Sequence, residues 1–241
     1  MRIKSGLAVL ALAASLPAQS VHLAPCRVAN VNAELRCGTF VVHENPADAR
    51  SRAIPLAVVV VPARAAKPRP DPVFLVSPGG PGTTNTEALL PGAWYSPFRD
   101  ERDLVIMDLR GTSGPSRLDC DLDDPALGAA AYLGPLFPKA SVDACRAALE
   151  KKVDLRFYTT PIIVQDFDAL RRALGYAKVN LFGVSWGTRV EYLWLRMHPE
   201  TVRSAILEGS APVSFLNPLP HARSAQVAID SLFAECQSQA A

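Results

Sequence analysis

Histidine is scarce in this sequence, with four residues among 241. They are His22, His43, His198 and His221. Because most metal sites and most acid–base mechanisms use histidine, any such site here has few candidates. Cys-x-x-Cys and histidine-rich spacings are also missing. The sequence therefore predicts neither a bound metal nor a cofactor.

The sequence also lacks an excess of charge of one sign. Its 25 basic and 23 acidic residues give a formal net charge of +2, which excludes a nucleic-acid binder that depends on a basic field. The hydrophobic fraction of 49% excludes an intrinsically disordered chain and allows a sizeable core. At ~100–200 residues per domain, the length suits one good-sized domain or two small ones.

The apolar run 6–16 is too short for a membrane span, which needs ~20 residues. Arg2 and Lys4 precede it, and Ala18-Gln19-Ser20 has the small-x-small form of a cleavage site. This pattern predicts a signal peptide over 1–20, a domain over 21–241, a secreted or periplasmic location and no stable membrane span. A lipoprotein cleavage site at Cys26 is the alternative, and the preceding proline argues against it.

Export to an oxidising compartment predicts that the cysteines pair. Cys26 and Cys37 flank a short polar segment, and Cys120 and Cys145 bracket a loop rich in Ala, Gly and Pro. We expect these two disulfides, with Cys236 left unpaired.

Apolar strands alternate with helices along the chain, which predicts an α/β domain with a mostly parallel sheet. A hairpin opens it, and later strands are wholly apolar, as in a sheet buried on both faces. In one helix the apolar stripe includes Phe167, and Asp166 and Asp168 are expected on its polar face. The predicted strands are 38–43, 56–61, 73–76, 104–107, 179–184 and 205–207, and the predicted helices are 141–152, 161–174, a segment ending near 197, and 221–237.

The segment Gly183-Val184-Ser185-Trp186-Gly187 lies between an apolar strand and a helix. Glycines two residues on either side allow a turn so tight that the serine hydroxyl projects above the sheet edge. The helix dipole and the amide of Trp186 then favour negative charge beside Ser185. This pattern predicts a nucleophile. An ordinary turn with a solvated serine is the alternative.

A second loop, Gly79-Gly80-Pro81-Gly82, follows the predicted strand 73–76. Such a loop can bring a backbone amide close to a substrate oxyanion. A phosphate-binding loop is the alternative. Two glycine motifs that bind nucleotides are incomplete here. The loop lacks Gly-x-x-x-x-Gly-Lys-Ser/Thr, and Asn85 replaces the third glycine of Gly-x-Gly-x-x-Gly.

These motifs together resemble the α/β-hydrolase superfamily, specifically its secreted proline-iminopeptidase and tripeptidyl-aminopeptidase branch. The resemblance covers 26–241. The sequence departs from the family pattern at Pro78, where many relatives have histidine. It rests on the glycine loop 79–82, Asp108-Leu109-Arg110-Gly111-Thr112, Tyr158-Thr159-Thr160, the segment 183–189 and the segment 202–209.

The resemblance implies acyl transfer on a small peptide or ester substrate. Ser185 would be the nucleophile, and the amides of Trp186 and Gly80 (or Gly79) would form the oxyanion hole. Asp108 and Arg110 would brace the neighbouring loops, although a surface salt bridge is as good an interpretation.

In this fold the triad acid and histidine follow the nucleophile along the chain. His198 is 13 residues farther along the same predicted helix, ~20 Å away at 1.5 Å per residue. His221 begins the last helix, and none of the later acids is better placed. We therefore expect the N-terminal half to two-thirds of the fold, with lid and last strands missing and little activity by itself. An aminopeptidase acting on peptide N-termini is the first hypothesis. An esterase or lipase-like hydrolase and a non-catalytic binding protein are the alternatives.

Overall fold

A computed structural model describes residues 20–28, 31, 34–120, 122, 128, 134–135, 137–216 and 219–239. Its centre is a seven-stranded sheet in the order β1-β2-β3-β5-β4-β6-β7. The strands are β1 (His22–Cys26), β2 (Leu35–His43), β3 (Ala53–Val61), β4 (Val73–Ser77), β5 (Leu104–Met107), β6 (Val179–Val184) and β7 (Val202–Glu208). The helices are α1 (Asn85–Tyr95), α2 (Lys139–Leu149), α3 (Thr160–Ala173), α4 (Gly187–Met197) and α5 (His221–Ser238).

The sheet has an antiparallel end and a parallel end. Strands β1, β2, β3 and β5 pair antiparallel in that order, whereas β5, β4, β6 and β7 run parallel to their neighbours. Helices α1, α3 and α4 supply the layers on the two faces. The predicted opening hairpin and the α/β-hydrolase architecture are therefore confirmed.

Alternate residues of the central strands enter two separate cores. In β4, Phe74 and Val76 join the larger core with α3 and α4, whereas Val73 and Leu75 join a smaller core with α1. Because successive strand residues point to opposite faces, a strand covered on both sides must be apolar throughout. This accounts for the wholly apolar sequences of β4 and β5.

Two elements were missed by the sequence analysis. Strand β1 extends the sheet beyond the hairpin, with Ala24 opposite Cys37. Helix α1 contains Pro91, a residue that normally ends helices. The helix beginning predicted at Ser141 is wrong, because α2 starts at Lys139, where Val142 N–H already donates to Pro138.

The polar face predicted for α3 is also partly wrong. Asp166 and Asp168 are almost fully buried, at 4% and 2% exposure. Both carboxylates are held by arginines: Asp166 by Arg110, and Asp168 by Arg171 and Arg172. Burial of a charge is tolerated when it is paired and hydrogen-bonded. The pattern of polar and apolar residues along the helix therefore predicted the wrong environment for these two side chains.

Both predicted disulfides, Cys26–Cys37 and Cys120–Cys145, are present, and Cys236 is a free, exposed thiol. This pairing is consistent with an extracellular protein. The predicted signal peptide falls on residues of which 1–19 lie outside the described part, and it stays a prediction. Within the described residues no helix combines the length and apolarity needed to cross a bilayer.

Helix α5 differs from α3 and α4, which bury an apolar face. None of its residues is buried, and Leu232 and Phe233 are 64% and 62% exposed. The neighbouring strand β7 leaves Ile206 47% exposed. The predicted amphipathic helix therefore exists, but its apolar face has no cover within the described residues.

Candidate active site

The candidate site lies where the chain reverses its direction across the sheet. From β4 the chain passes through α1 to β5 on one side, and it later crosses to β6 on the other side of β4. Helices α1 and α4 pack on opposite faces, so the loops after β4 and β6 diverge. Such a switch point opens a crevice at the carboxyl ends of the strands.

The turn from β6 into α4 is built on two close backbone approaches. A Cβ on Gly183 would lie 2.9 Å from the carbonyl of Gly187, and a Cβ on Gly187 would lie 2.5 Å from the Ser77 carbonyl oxygen. Real Cβ atoms do not approach backbone this closely, so both positions require glycine. The turn is therefore so tight that side chains at the two flanking positions would clash with backbone, as the sequence predicts.

Ser185 stands at the apex of this turn with φ of +52°, and it is the one non-glycine residue with positive φ in the described part of the chain. A backbone in this region costs ~1–3 kcal/mol and persists where its surroundings enforce it. Here Ser185 N–H donates to the Glu208 carbonyl at 2.8 Å, and Thr188 donates to the Ser185 carbonyl from both its N–H and its hydroxyl. The serine side chain itself is exposed.

The glycine loop after β4 lies directly against the serine. A Cβ on Gly79 would be 3.1 Å from Ser185 Cβ, so the loop backbone approaches the serine as closely as a side chain would permit. Gly79 and Gly80 have φ of +122° and +52°. Gly79 N–H is directed to Ser77 Oγ at 3.3 Å, which leaves Gly80 as the better-placed donor of the two.

Two backbone N–H groups remain available beside Ser185. Neither Gly80 N–H nor Trp186 N–H donates to an acceptor within the described residues. Trp186 immediately precedes α4, and the first amides of a helix have no intrahelical partner. Of the three residues predicted for the oxyanion hole, Gly79 lies against Ser185, Gly80 follows Gly79 in the same loop, and Trp186 follows Ser185 in the chain.

Arg110 ties the loop after β5 to the rest of the fold. Its side chain is fully buried, and all five of its N–H groups have acceptors. Nε and Nη2 bind the two oxygens of Asp166 at 2.7 Å, and the others reach the carbonyls of His43, Glu44 and Phe157. Burial raises the pKa of Asp166, and the hydrogen bonds from Arg110 oppose that rise.

Asp108 has a similar bracing role at the start of α1. Its carboxylate accepts the N–H of Thr86 at 2.8 Å, and its side chain is buried. An acidic group near a helix N-terminus satisfies an otherwise unpaired amide. The interpretation of Asp108 and Arg110 as a surface salt bridge is therefore wrong, because both are buried and each binds a different partner.

None of the contacts given for the four histidines within the described residues involves Ser185. His22 lies in β1, five strands away from β6, and His43 Nδ1 lies 3.3 Å from the Ser51 carbonyl. His198 ends α4, and the His221 ring packs 6.1 Å from that of Phe215. The Ser185 hydroxyl makes no hydrogen bond with any described residue, and within that part of the chain no group of three His, Cys, Asp or Glu side chains could hold a metal.

Glu191 is a buried acid that the sequence analysis passed over. It lies on α4 four residues after Gly187, which places it on the sheet-facing side of the helix. Its exposure is 0%, and neither carboxylate oxygen has a hydrogen-bond partner within the described residues. Burial raises its pKa from the ordinary 4.5 to about 8, so the side chain is largely protonated at neutral pH.

A cavity of about 550 Å³ is lined in part by Trp186, the residue that follows Ser185. One wall contains Trp186 and the loop residues Pro81 and Gly82. The loop after β5, the start of α3 and Leu193 of α4 line it as well. The cavity therefore adjoins the residues that follow Gly80 and Ser185 in the chain.

The family model described as the alpha/beta hydrolase fold matches residues 72–237, which contain β4 through most of α5. The chain belongs to the α/β-hydrolase family. Among solved structures, a thermophilic esterase from Thermogutta terrifontis is 19% identical with a TM-score of 0.41, over 70% of this chain and 44% of that one.

Two curated relatives of this α/β-hydrolase are peptidases by name. Serine protease Hip1 of Mycobacterium tuberculosis is 28% identical over 92% of this chain and 46% of the relative. Tripeptidyl aminopeptidase of Streptomyces lividans is 25% identical over 78% of this chain and 37% of the relative. The chain thus spans less than half the length of the curated relatives that it matches.

Proposed function

We propose that this α/β-hydrolase is an exported serine hydrolase of peptidase type, acting on peptide N-termini through an acyl-enzyme at Ser185. The observation that carries the proposal is the exposed serine at φ of +52° with the Gly79–Gly80 backbone against it. Strain at one functional residue, enforced by its neighbours, is typical of a nucleophile elbow. The names of the curated relatives favour a peptide substrate, and the two disulfides favour export.

In this proposal Ser185 Oγ attacks the substrate carbonyl and forms the acyl bond, while the amine leaves with a proton. The amides of Trp186 and Gly80 receive the developing oxyanion, at the N-terminal end of α4. Water then hydrolyses the acyl-enzyme and regenerates the serine. Fixed donors of this kind typically contribute 10²–10³-fold in rate each.

The general base is not one of the four histidines of residues 1–241 in this proposal. Without an activating base a triad serine loses on the order of 10⁴-fold or more in rate. We therefore expect residues 1–241 alone to hydrolyse substrate slowly, with the remaining rate coming from the oxyanion donors and binding.

The test compares alanine and proline p-nitroanilides with a p-nitrophenyl ester, using purified residues 1–241 and its Ser185→Ala variant. Slow hydrolysis that disappears in Ser185→Ala supports the proposal, and a measurable anilide rate favours the peptidase over the esterase. Ser210→Ala is the matched control, since Ser210 is another serine near the site, hydrogen-bonded to Tyr192. Hydrolysis unaffected by Ser185→Ala would refute Ser185 as nucleophile. Rapid hydrolysis by residues 1–241 would refute the claim that none of their four histidines is the general base.

A further inference from the structure

The cavity beside Trp186 has an apolar lining with no carboxylate in it. Its floor contains Leu109 and Ile163, both buried, and its side wall contains Leu193. Exposed residues form the rim, among them Val213, which is 56% exposed. A buried floor with an exposed rim is the form of a pocket that receives one group of a ligand from solvent.

The charged side chain of the lining and two of its hydroxyl groups already bind protein partners, whereas Thr159 and Thr160 contribute neutral hydroxyls to it. Arg110 borders the cavity, but its five N–H groups are all bonded to protein acceptors and its charge is paired with Asp166. Tyr158 donates its hydroxyl to Glu44 at 2.8 Å and accepts from Arg52, and its pKa is raised to about 12 mainly by burial. Tyr158 therefore presents its ring to the cavity.

The Thr112 hydroxyl is engaged as well, since it donates to the Leu109 carbonyl at 2.9 Å. A ligand ammonium entering this cavity would lose its hydration without gaining an acidic partner, and a ligand carboxylate would find no free guanidinium donor. Both exchanges are unfavourable, because a buried charge requires pairing. An uncharged apolar group gains free energy from the same burial.

We propose that this cavity is the specificity pocket for an apolar, uncharged group of the substrate, next to the carbonyl that Ser185 attacks. The inference rests on the proposed function and adds the substrate class to it. In a peptide substrate the pocket receives an apolar side chain, while the free amino end binds outside it. The position of Trp186 links the two sites, because it directly follows Ser185 in the chain and also lines the pocket.

The test measures binding in the Ser185→Ala background, where no covalent chemistry contributes. The probes are N-acetyl amides of glycine, alanine and leucine, and leucinamide with its free amine. The readout is the indole N–H resonance of Trp186, identified by its loss in Trp186→Phe. We expect affinity to rise about two- to fourfold per added methylene, and the free amine to bind no tighter than the acetylated leucine probe.

Leu193→Trp fills the pocket and should weaken the leucine probe at least tenfold. Leu195→Trp is the matched control, since Leu195 is 36% exposed on the same helix and does not line the pocket. Should Leu193→Trp unfold the protein, Val213→Trp on the exposed rim gives the same reading. Affinity independent of probe size, tighter binding of the free amine, or equal effects of Leu193→Trp and Leu195→Trp would overturn the proposal.

Failure of this proposal is distinguishable from failure of the proposed function. Size-dependent binding together with hydrolysis that does not depend on Ser185 would support the pocket and refute Ser185 as the nucleophile. Hydrolysis that depends on Ser185, without size-dependent binding, would support Ser185 as the nucleophile and refute the pocket.

Discussion

The two sides of the candidate site differ in how they are packed. The region of β4, β6, α3 and α4 is buried around a core that contains Phe74, Phe167 and Trp194, each with zero exposure. Their rings lie 5.8–6.4 Å apart in tilted and edge-on arrangements. The region of β7 and α5 follows directly and buries no helix residue at all.

Ser185 lies at the boundary between these regions, and the segment that follows β7 is bonded to the serine turn and to α4, as far as the Phe215 carbonyl that accepts from Arg189. Glu208 accepts the Ser185 N–H, and Ala211 N–H donates to Thr188 at 2.9 Å. The geometry of the serine turn therefore depends on the buried region together with the segment up to Phe215. Ser185 and the glycine loop against it are therefore held in place by contacts that do not include a buried residue of α5.

The largest expected effect separates the two regions by matched phenylalanine substitutions. Phe167→Ala should lower the free energy of unfolding by about 3–5 kcal/mol, because it leaves a cavity in the packed core. Phe233→Ala, at a residue 62% exposed, should change it by less than about 0.5 kcal/mol. Urea denaturation followed by circular dichroism measures both. A large loss in Phe233→Ala would break the comparison by showing that α5 is covered in solution.

A smaller effect concerns the pH dependence caused by Glu191. Because its pKa is about 8 in the folded chain and near 4.5 when unfolded, the folded state binds the extra proton and stability falls as pH rises between these values. The loss amounts to about 3 kcal/mol at pH 7. Glu191→Gln should remove this slope, as measured by urea denaturation from pH 5 to pH 8.

Glu235→Gln is the control for Glu191, because Glu235 is an acid on the exposed helix α5. It should leave the slope of stability against pH as it is in the parent chain. An unchanged slope in Glu191→Gln would mean that the Glu191 carboxylate finds a partner when it ionises. The buried region would then be more polar than its apolar core indicates.

Local patterns were enough to predict much of the fold. Residues close together in the sequence were enough to predict the hairpin, the buried strands, the turn at 183–187 and both disulfides. The neighbours of Asp166 are not, because Arg110 lies 56 residues away and comes from another loop. Burial of Glu191 could have been noticed, since its spacing from Gly187 places it on the same helical face. Helix α1 was hidden by Pro91, which local rules count against a helix.

The most direct test of the central claim is the site of modification by a fluorophosphonate on residues 1–241, located by peptide mass spectrometry. We expect an adduct on Ser185 and not on Ser210, formed at a rate that rises about tenfold per pH unit, as for a serine without a histidine base. Ser185→Ala should abolish the adduct. Modification spread over several serines, or unchanged in Ser185→Ala, would contradict the account.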